Sequence, residues 1–127
     1  MEYKRERELP LLGMRILVVD DELLIVLSIE DALRDAGAEV TSAATLSIAL
    51  KSASNETLTA ALLDVRLGRE TTEAVADVLV TRGIPFVFHT GQALPDAIRA
   101  KHPNAMALNK PSNPDVFVDA IFRLTKR

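Results

Sequence analysis

Six polar residues in this 127-residue chain each sit just beyond a short apolar run. Asp20, Asp21 and Glu22 follow Arg15–Val19, Asp64 follows Ala60–Leu63, Thr90 follows Pro85–His89, and Lys110 comes shortly after Ala105–Leu108. Crowded carboxylates repel one another unless a cation joins them, and hard oxygen ligands suit Mg²⁺. The ammonium of Lys110 and the hydroxyl of Thr90 are then left to hold an anion beside the metal. Metal, lysine and hydroxyl around an aspartate make a phosphoryl-transfer site. Asp64 stands alone behind its apolar run, and a carboxylate can act as a nucleophile to form an acyl phosphate. Gly91, directly after Thr90, leaves room for a phosphoryl group to approach. Taken singly, each residue has an ordinary use: helix capping for Asp20 and Asp21, a strand-end carboxylate for Asp64, a solvated turn lysine for Lys110. The joint arrangement carries the reading.

For these residues to meet, the runs that deliver them must lie side by side. Arg15–Val19 (RILVV) reads as a buried strand. Glu22–Ala36 carries Ile25, Ile29, Ala32, Leu33 and Ala36 at helical spacing, with Gly37 as its stop. Ala38–Ala43 is a weaker strand, and Leu46–Ser52 a short helix that Thr45 can cap. Ala60–Leu63 is a third strand, and Thr72–Arg82 a helix stopped by Gly83. Pro85–His89 is a fourth strand. Pro95–His102 has a weak helical pattern ended by Pro103, which places Gly91–Pro103 at the low-stability end of the fold. Ala105–Leu108 is the fifth strand. Asn113 and Pro114 open a last helix whose apolar stripe is Phe117, Ala120, Ile121 and Leu124.

Five strand–helix units with near-continuous apolar strands imply a parallel sheet covered by helices on both faces. Such sheets bind ligands at the carboxyl ends of their strands, which puts the six polar residues on one edge. Residues 1–12 are expected to form a flexible or loosely docked arm and residues 13–127 one domain. Leu23, Val26 and Leu27 on the first helix, and Val118 and Phe122 on the last, fall off the apolar stripes and suggest docking faces.

Composition narrows the function. Hydrophobic residues make up 48% and charged residues 26%, an ordinary globular balance. Fifteen basic against eighteen acidic residues leave a net charge of −3, so no basic field supports direct nucleic-acid binding. Without cysteine there is no disulfide, thiolate zinc site or cysteine nucleophile. The opening MEYKRERELP has no apolar segment of a secretory signal, and no run is long enough to span a membrane. A soluble cytoplasmic protein is expected.

The motifs VVDDE (Val18–Glu22), LLDVRL (Leu62–Leu67), HTG (His89–Gly91) and NKP (Asn109–Pro111) occur in order, each at a strand end. Together they resemble the receiver domain of bacterial two-component response regulators over residues 14–127. The spacings, 44 residues from Asp20 to Asp64, 26 on to Thr90 and 20 on to Lys110, are similar to that family's. The resemblance implies a flavodoxin-like (βα)5 doubly wound sheet of order 2-1-3-4-5, an α/β fold. It implies Asp64 as phosphoacceptor, Mg²⁺ held directly by Asp21 and Asp64, Asp20 assisting through water, and the backbone carbonyl of Arg66 completing the protein ligands. Thr90 would hydrogen-bond the phosphoryl group, Lys110 would pair with one of its oxygens, and the Lys110–Pro111 bond would be cis. The implied partner is a sensor histidine kinase or a histidine phosphotransfer protein, meeting the first helix, with the last helix as a face for homodimerisation. Neither nucleic acid nor membrane is a direct partner, and the only reaction catalysed is the domain's own phosphorylation and dephosphorylation.

Several positions depart from the family. Receivers usually carry Tyr or Phe three residues before the lysine as a rotating switch; here that residue is Ala107. The loop after Asp64 reads VRLGRET without the usual proline, and Ser112 replaces a common Phe. Phe88, Thr90 and Gly91 resemble the FATGUY subgroup of single-domain receivers, while His89, Gln92 and Ala93 depart from it. With no output domain before Arg127, the expectation is a stand-alone receiver acting as phosphorelay intermediate, phosphate sink or allosteric partner. The alternative is a pseudo-receiver that binds partners without taking phosphate. A haloacid-dehalogenase-like phosphatase fits poorly, since DDE replaces its D-x-D and the chain is short.

Overall fold

The computed structural model of the chain describes residues 9–126. Its strands are β1 (Arg15–Val19), β2 (Glu39–Ala43), β3 (Ala60–Asp64), β4 (Arg66–Leu67), β5 (Glu70–Thr71), β6 (Phe86–Thr90) and β7 (Met106–Asn109). Its helices are α1 (Leu23–Asp35), α2 (Leu46–Asn55), α3 (Glu73–Thr81), α4 (Asp96–Lys101) and α5 (Pro114–Thr125). Five strands pair in parallel in the order β2-β1-β3-β6-β7, which is the expected 2-1-3-4-5 arrangement. β3 and β6 are buried along their whole length, which explains why they read as unbroken apolar runs rather than alternating ones.

The sheet divides the interior in two. On one face Leu17, Leu63 and Phe88 pack with Ala49 and Ala53 of α2, Val75 and Leu79 of α3, and Ile98 of α4. On the other, Ile16, Val18, Leu62 and Val87 pack with Ile29 and Leu33 of α1 and Phe117, Ala120 and Ile121 of α5. The local signals act as read: Thr45 accepts a hydrogen bond from Ile48 N at 3.2 Å, and Asn113 accepts one from Asp115 N at 3.0 Å with Pro114 opening α5.

The structure corrects several expectations. The buried stripe of α1 is Val26, Ile29, Glu30 and Leu33, so Val26 belongs to the core rather than to a docking face, while Ile25 and Ala32 are half-buried. The helix packs against α5 and the sheet through Ile25, Ile29 and Leu33, as the apolar spacing suggests, and Val26 and Glu30 are buried in addition. Val118 likewise packs partly against the core, whereas Phe122 stays exposed under the Lys126 ammonium, 5.8 Å from the ring centroid. Of the expected arm, residues 1–8 lie outside the described residues. Within the remainder, Leu11 is fully buried and its N–H donates to Ala36 O at 2.9 Å. Gly37 (φ 102°) permits this, because a Cβ there would lie 2.9 Å from Leu12 Cα.

The weak helical pattern at Pro95–His102 does form a helix. Ile98 is buried beneath it, Lys101 Nζ lies 2.7 Å from Glu73 and 2.9 Å from Asp77 on α3, and His102 Nε2 lies 3.2 Å from Asp77. Lys101 and His102 hold Asp77 below the ordinary carboxylate value, its hydrogen bond from Lys101 contributing most. These ties to α3 anchor a helix whose own six residues would not hold it.

Candidate functional site

Strand register places the chemistry. Val19, Leu63, Phe88 and Ala107 stand level across β1, β3, β6 and β7. One residue further on, Asp20 and Asp64 leave the sheet together, with His89 paired opposite Asp64. Thr90 pairs with Asn109, and its carbonyl accepts from Lys110 N at 2.8 Å. Asp21, Asp64, Arg66, Thr90, Gly91 and Lys110 line one cleft of about 380 Å³, with Asp20 buried behind it.

Three carboxylates meet there. One oxygen from each of Asp20, Asp21 and Asp64 lies within 4.8 Å of the others. Asp20 Oδ1 accepts from Glu22 N at 2.9 Å, while its buried Oδ2 has no hydrogen-bond partner and sees Lys110 Nζ only at 3.5 Å. A buried carboxylate oxygen left in that state, beside two more carboxylates, fits a hard divalent cation such as Mg²⁺. Asp21 Oδ2 is held by Gly68 N at 3.0 Å. Asp64 Oδ1 receives Arg66 N at 3.4 Å, and its backbone carbonyl is fixed by the fully buried Thr72 hydroxyl at 2.6 Å.

Charge crowding perturbs the site. Burial, followed by the Asp20 charge, pushes the Asp64 carboxyl up to about 6, with Lys110 and Arg66 N opposing. Lys110 Nζ lies 3.1 Å from Glu22 Oε1 and 3.2 Å from Asp64 Oδ2. Burial pulls its ammonium down, but the hydrogen bond it donates to Glu22 and the charges of Asp20 and Asp64 more than offset this, so it is held above the ordinary lysine value. The Thr90 hydroxyl is engaged locally, donating to Gln92 O at 2.9 Å and accepting from Gln92 N at 3.1 Å. The Lys110–Pro111 bond is cis.

Some partners escape a reading of the sequence. Glu22 stands at the start of α1, where it would pass for a cap, yet its carboxylate reaches Lys110 across 88 residues. Thr72 opens α3 in the sequence but its hydroxyl serves Asp64. The small β4–β5 hairpin is a further addition. Its signal is present, because Gly68 (φ 60°) is the first of the two loop residues between Leu67 and Glu70, the glycine place of a type II′ turn.

His89 is buried edge-on against Phe117, ring centroids 4.7 Å apart, with neither ring nitrogen hydrogen-bonded. Burial and then the Lys110 charge push it down to about 4. The unfolded chain therefore takes up a proton near pH 6.5 that the native state refuses until about pH 4, and stability falls as pH falls through that window. A His89→Phe variant should lose this term and gain about 1–2 kcal/mol over the parent at pH 5 relative to pH 7. Urea titrations at the two pH values check this; an unchanged difference between parent and variant contradicts it.

Comparison with known proteins bears on the same residues. The family profile of the response regulator receiver domain matches residues 16–122. No curated protein sequence is significantly similar. Among solved structures, a CheY-like response regulator receiver domain protein from Methanospirillum hungatei JF-1 is similar at 28% identity and TM-score 0.78, over 87% of this chain and 91% of that one. A response regulator receiver protein from Sinorhizobium medicae WSM419 is 26% identical at TM-score 0.76, covering 88% and 94%. The receiver domain of a Pseudomonas aeruginosa PAO1 sensor histidine kinase is 26% identical at TM-score 0.77, covering 91% and 99%; that structure holds a magnesium ion in its active site cleft. The profile spans every strand that feeds the cleft, from β1 to the end of β7, and so the chain belongs to the family of response regulator receiver domains.

Proposed function

We propose that this receiver takes a phosphoryl group onto Asp64 from the phosphohistidine of a sensor histidine kinase or histidine phosphotransfer protein and signals by protein–protein contact in the cytoplasm. The observation that carries this is the meeting of the Asp64 carboxylate with the Lys110 ammonium in a cleft backed by Asp20 and Asp21. Asp21, Asp64, Asp20 through water, and the Arg66 carbonyl would hold Mg²⁺, which would offset the negative charge of the carboxylates as an anionic donor approaches. An Asp64 oxygen attacks phosphorus, the bond from phosphorus to the donor imidazole nitrogen breaks, and that nitrogen keeps the bonding pair. Lys110 takes a phosphoryl oxygen, and Thr90 turns its hydroxyl from Gln92 to another. The magnesium-bearing kinase receiver supports this choice of metal and partner. The domain catalyses no turnover beyond its own phosphorylation and dephosphorylation.

Intact mass after treatment with a small phosphodonor and Mg²⁺ tests this. One labile phosphoryl adduct on the wild type and none on Asp64→Asn is expected. Absence of any adduct supports the pseudo-receiver alternative instead. In the same framework Asp21→Ala should weaken Mg²⁺ binding roughly tenfold or more by calorimetry. Unchanged affinity contradicts the assignment of Asp21 as a ligand.

A further inference from the structure

A second cavity of about 430 Å³ lies beside the cleft, between α1 and the start of α5, walled mainly by apolar surface from Ile25, Ile29 and Phe117 with buried His89 among its lining. The two cavities share only two residues, Glu22 and Lys110. Those two are joined by the 3.1 Å ion pair, so this one side-chain contact borders both the cleft and the groove. The backbone of Lys110 is pinned to Thr90 O and cannot follow its ammonium, which leaves the side chain alone free to move.

We propose that Glu22 is a positioning residue whose ion pair with Lys110 is a partition, broken when Lys110 turns to the phosphoryl group, so that phosphorylation is read in the groove between α1 and α5. This rests on Asp64 as phosphoacceptor. The direction follows from electrostatics. The Glu22 carboxylate is 58% exposed, so water screens the ion pair and it holds Lys110 only weakly. A phosphoryl group brings a charge of about −1.5 to −2 to the more buried side of the same ammonium. It attracts Lys110 and repels Glu22, and both effects open the pair. The device needs no aromatic ring in β7, where Ala107 is exposed and no ring is available to swing inward.

Solution NMR on the full chain tests this, with beryllofluoride and Mg²⁺ as phosphoryl stand-in. In the wild type the stand-in should shift amide and ring signals of Ser28, Ile29, His89 and Phe117. In free Glu22→Gln these signals should already have moved at least half-way to the beryllofluoride positions. Lys110→Met, which breaks the same pair, should move them in the same direction. A plain charge effect would move them in opposite directions, because one variant removes a negative charge and the other a positive one. Opposite displacements, or groove signals in free Glu22→Gln that coincide with wild type, overturn the proposal. So do wild-type groove signals that stay fixed while Asp64 and Thr90 amides respond. No adduct by mass and no response at Asp64 or Thr90 would instead defeat the reading of Asp64, and the two free-state variants still decide whether the pair is a partition. Glu22→Gln leaves the fold measurable because Glu22 is largely exposed, and Lys110→Met keeps an unbranched side chain of similar length on a backbone still tied to Thr90 O.

Discussion

Asp64→Asn should stabilise the metal-free protein at pH 7 by about 1–3 kcal/mol while ending phosphoryl uptake. In the native fold the carboxyl titrates at about 6 rather than 3.8, because it is buried and faces Asp20. The native state therefore binds the Asp64 proton more tightly than the unfolded chain does. The contribution of this group to stability is full below pH 3.8 and is lost as pH rises through 6. At pH 7 the carboxylate is ionised in both states, and the native state bears the whole penalty. A neutral isostere removes it, at the expense of the Asp64–Lys110 contact, which Glu22 and Asp20 partly replace. Acidification from pH 7 to 5 should stabilise the wild type through Asp64 and destabilise it through His89, so the two single variants are needed to separate the terms. Saturating Mg²⁺ should shrink the gap between wild type and Asp64→Asn, since the cation relieves the same repulsion. Urea unfolding with and without Mg²⁺ measures this; a variant less stable than wild type in the metal-free state contradicts it.

Phe88→Ala should cost about 3–5 kcal/mol and lower the melting temperature by on the order of 10–20 °C. Phe88 is fully buried in the layer beneath α2, α3 and α4, edge-on to Phe86 at 5.3 Å and to His102 at 6.5 Å. β6 is covered on both faces, so the void has little room to collapse. His102 also ties α4 to Asp77, so the cavity lies under the anchor of the loop that follows Thr90. The loss is a large share of the stability of a domain this size. Thermal and urea unfolding check the value, and a cost below about 1.5 kcal/mol would mean that neighbouring side chains refill the space.

The sequence by itself determined the fold class and most of the residues that meet in the candidate cleft. β3 and β6 announce themselves because strands buried on both faces must be largely apolar, and each ends at a residue that lines the cleft. Thr45, Asn113 and Pro114 mark helix starts because capping is settled within a few residues of chain. Only the tertiary structure decided that Val26 is buried while Ile25 stays half-buried, because the burial of a position on α1 depends on what lies over it and not on α1 alone. It also decided that α4 forms, through Lys101 and His102 reaching α3, and that Leu11 joins the core through Gly37. The grip of Glu22 on Lys110 is of the same kind. A long side chain at a helix start can cap, face solvent or reach across the cleft, and nothing within its own stretch of chain selects among them. The choice is made by a lysine 88 residues away, delivered by register across four parallel strands.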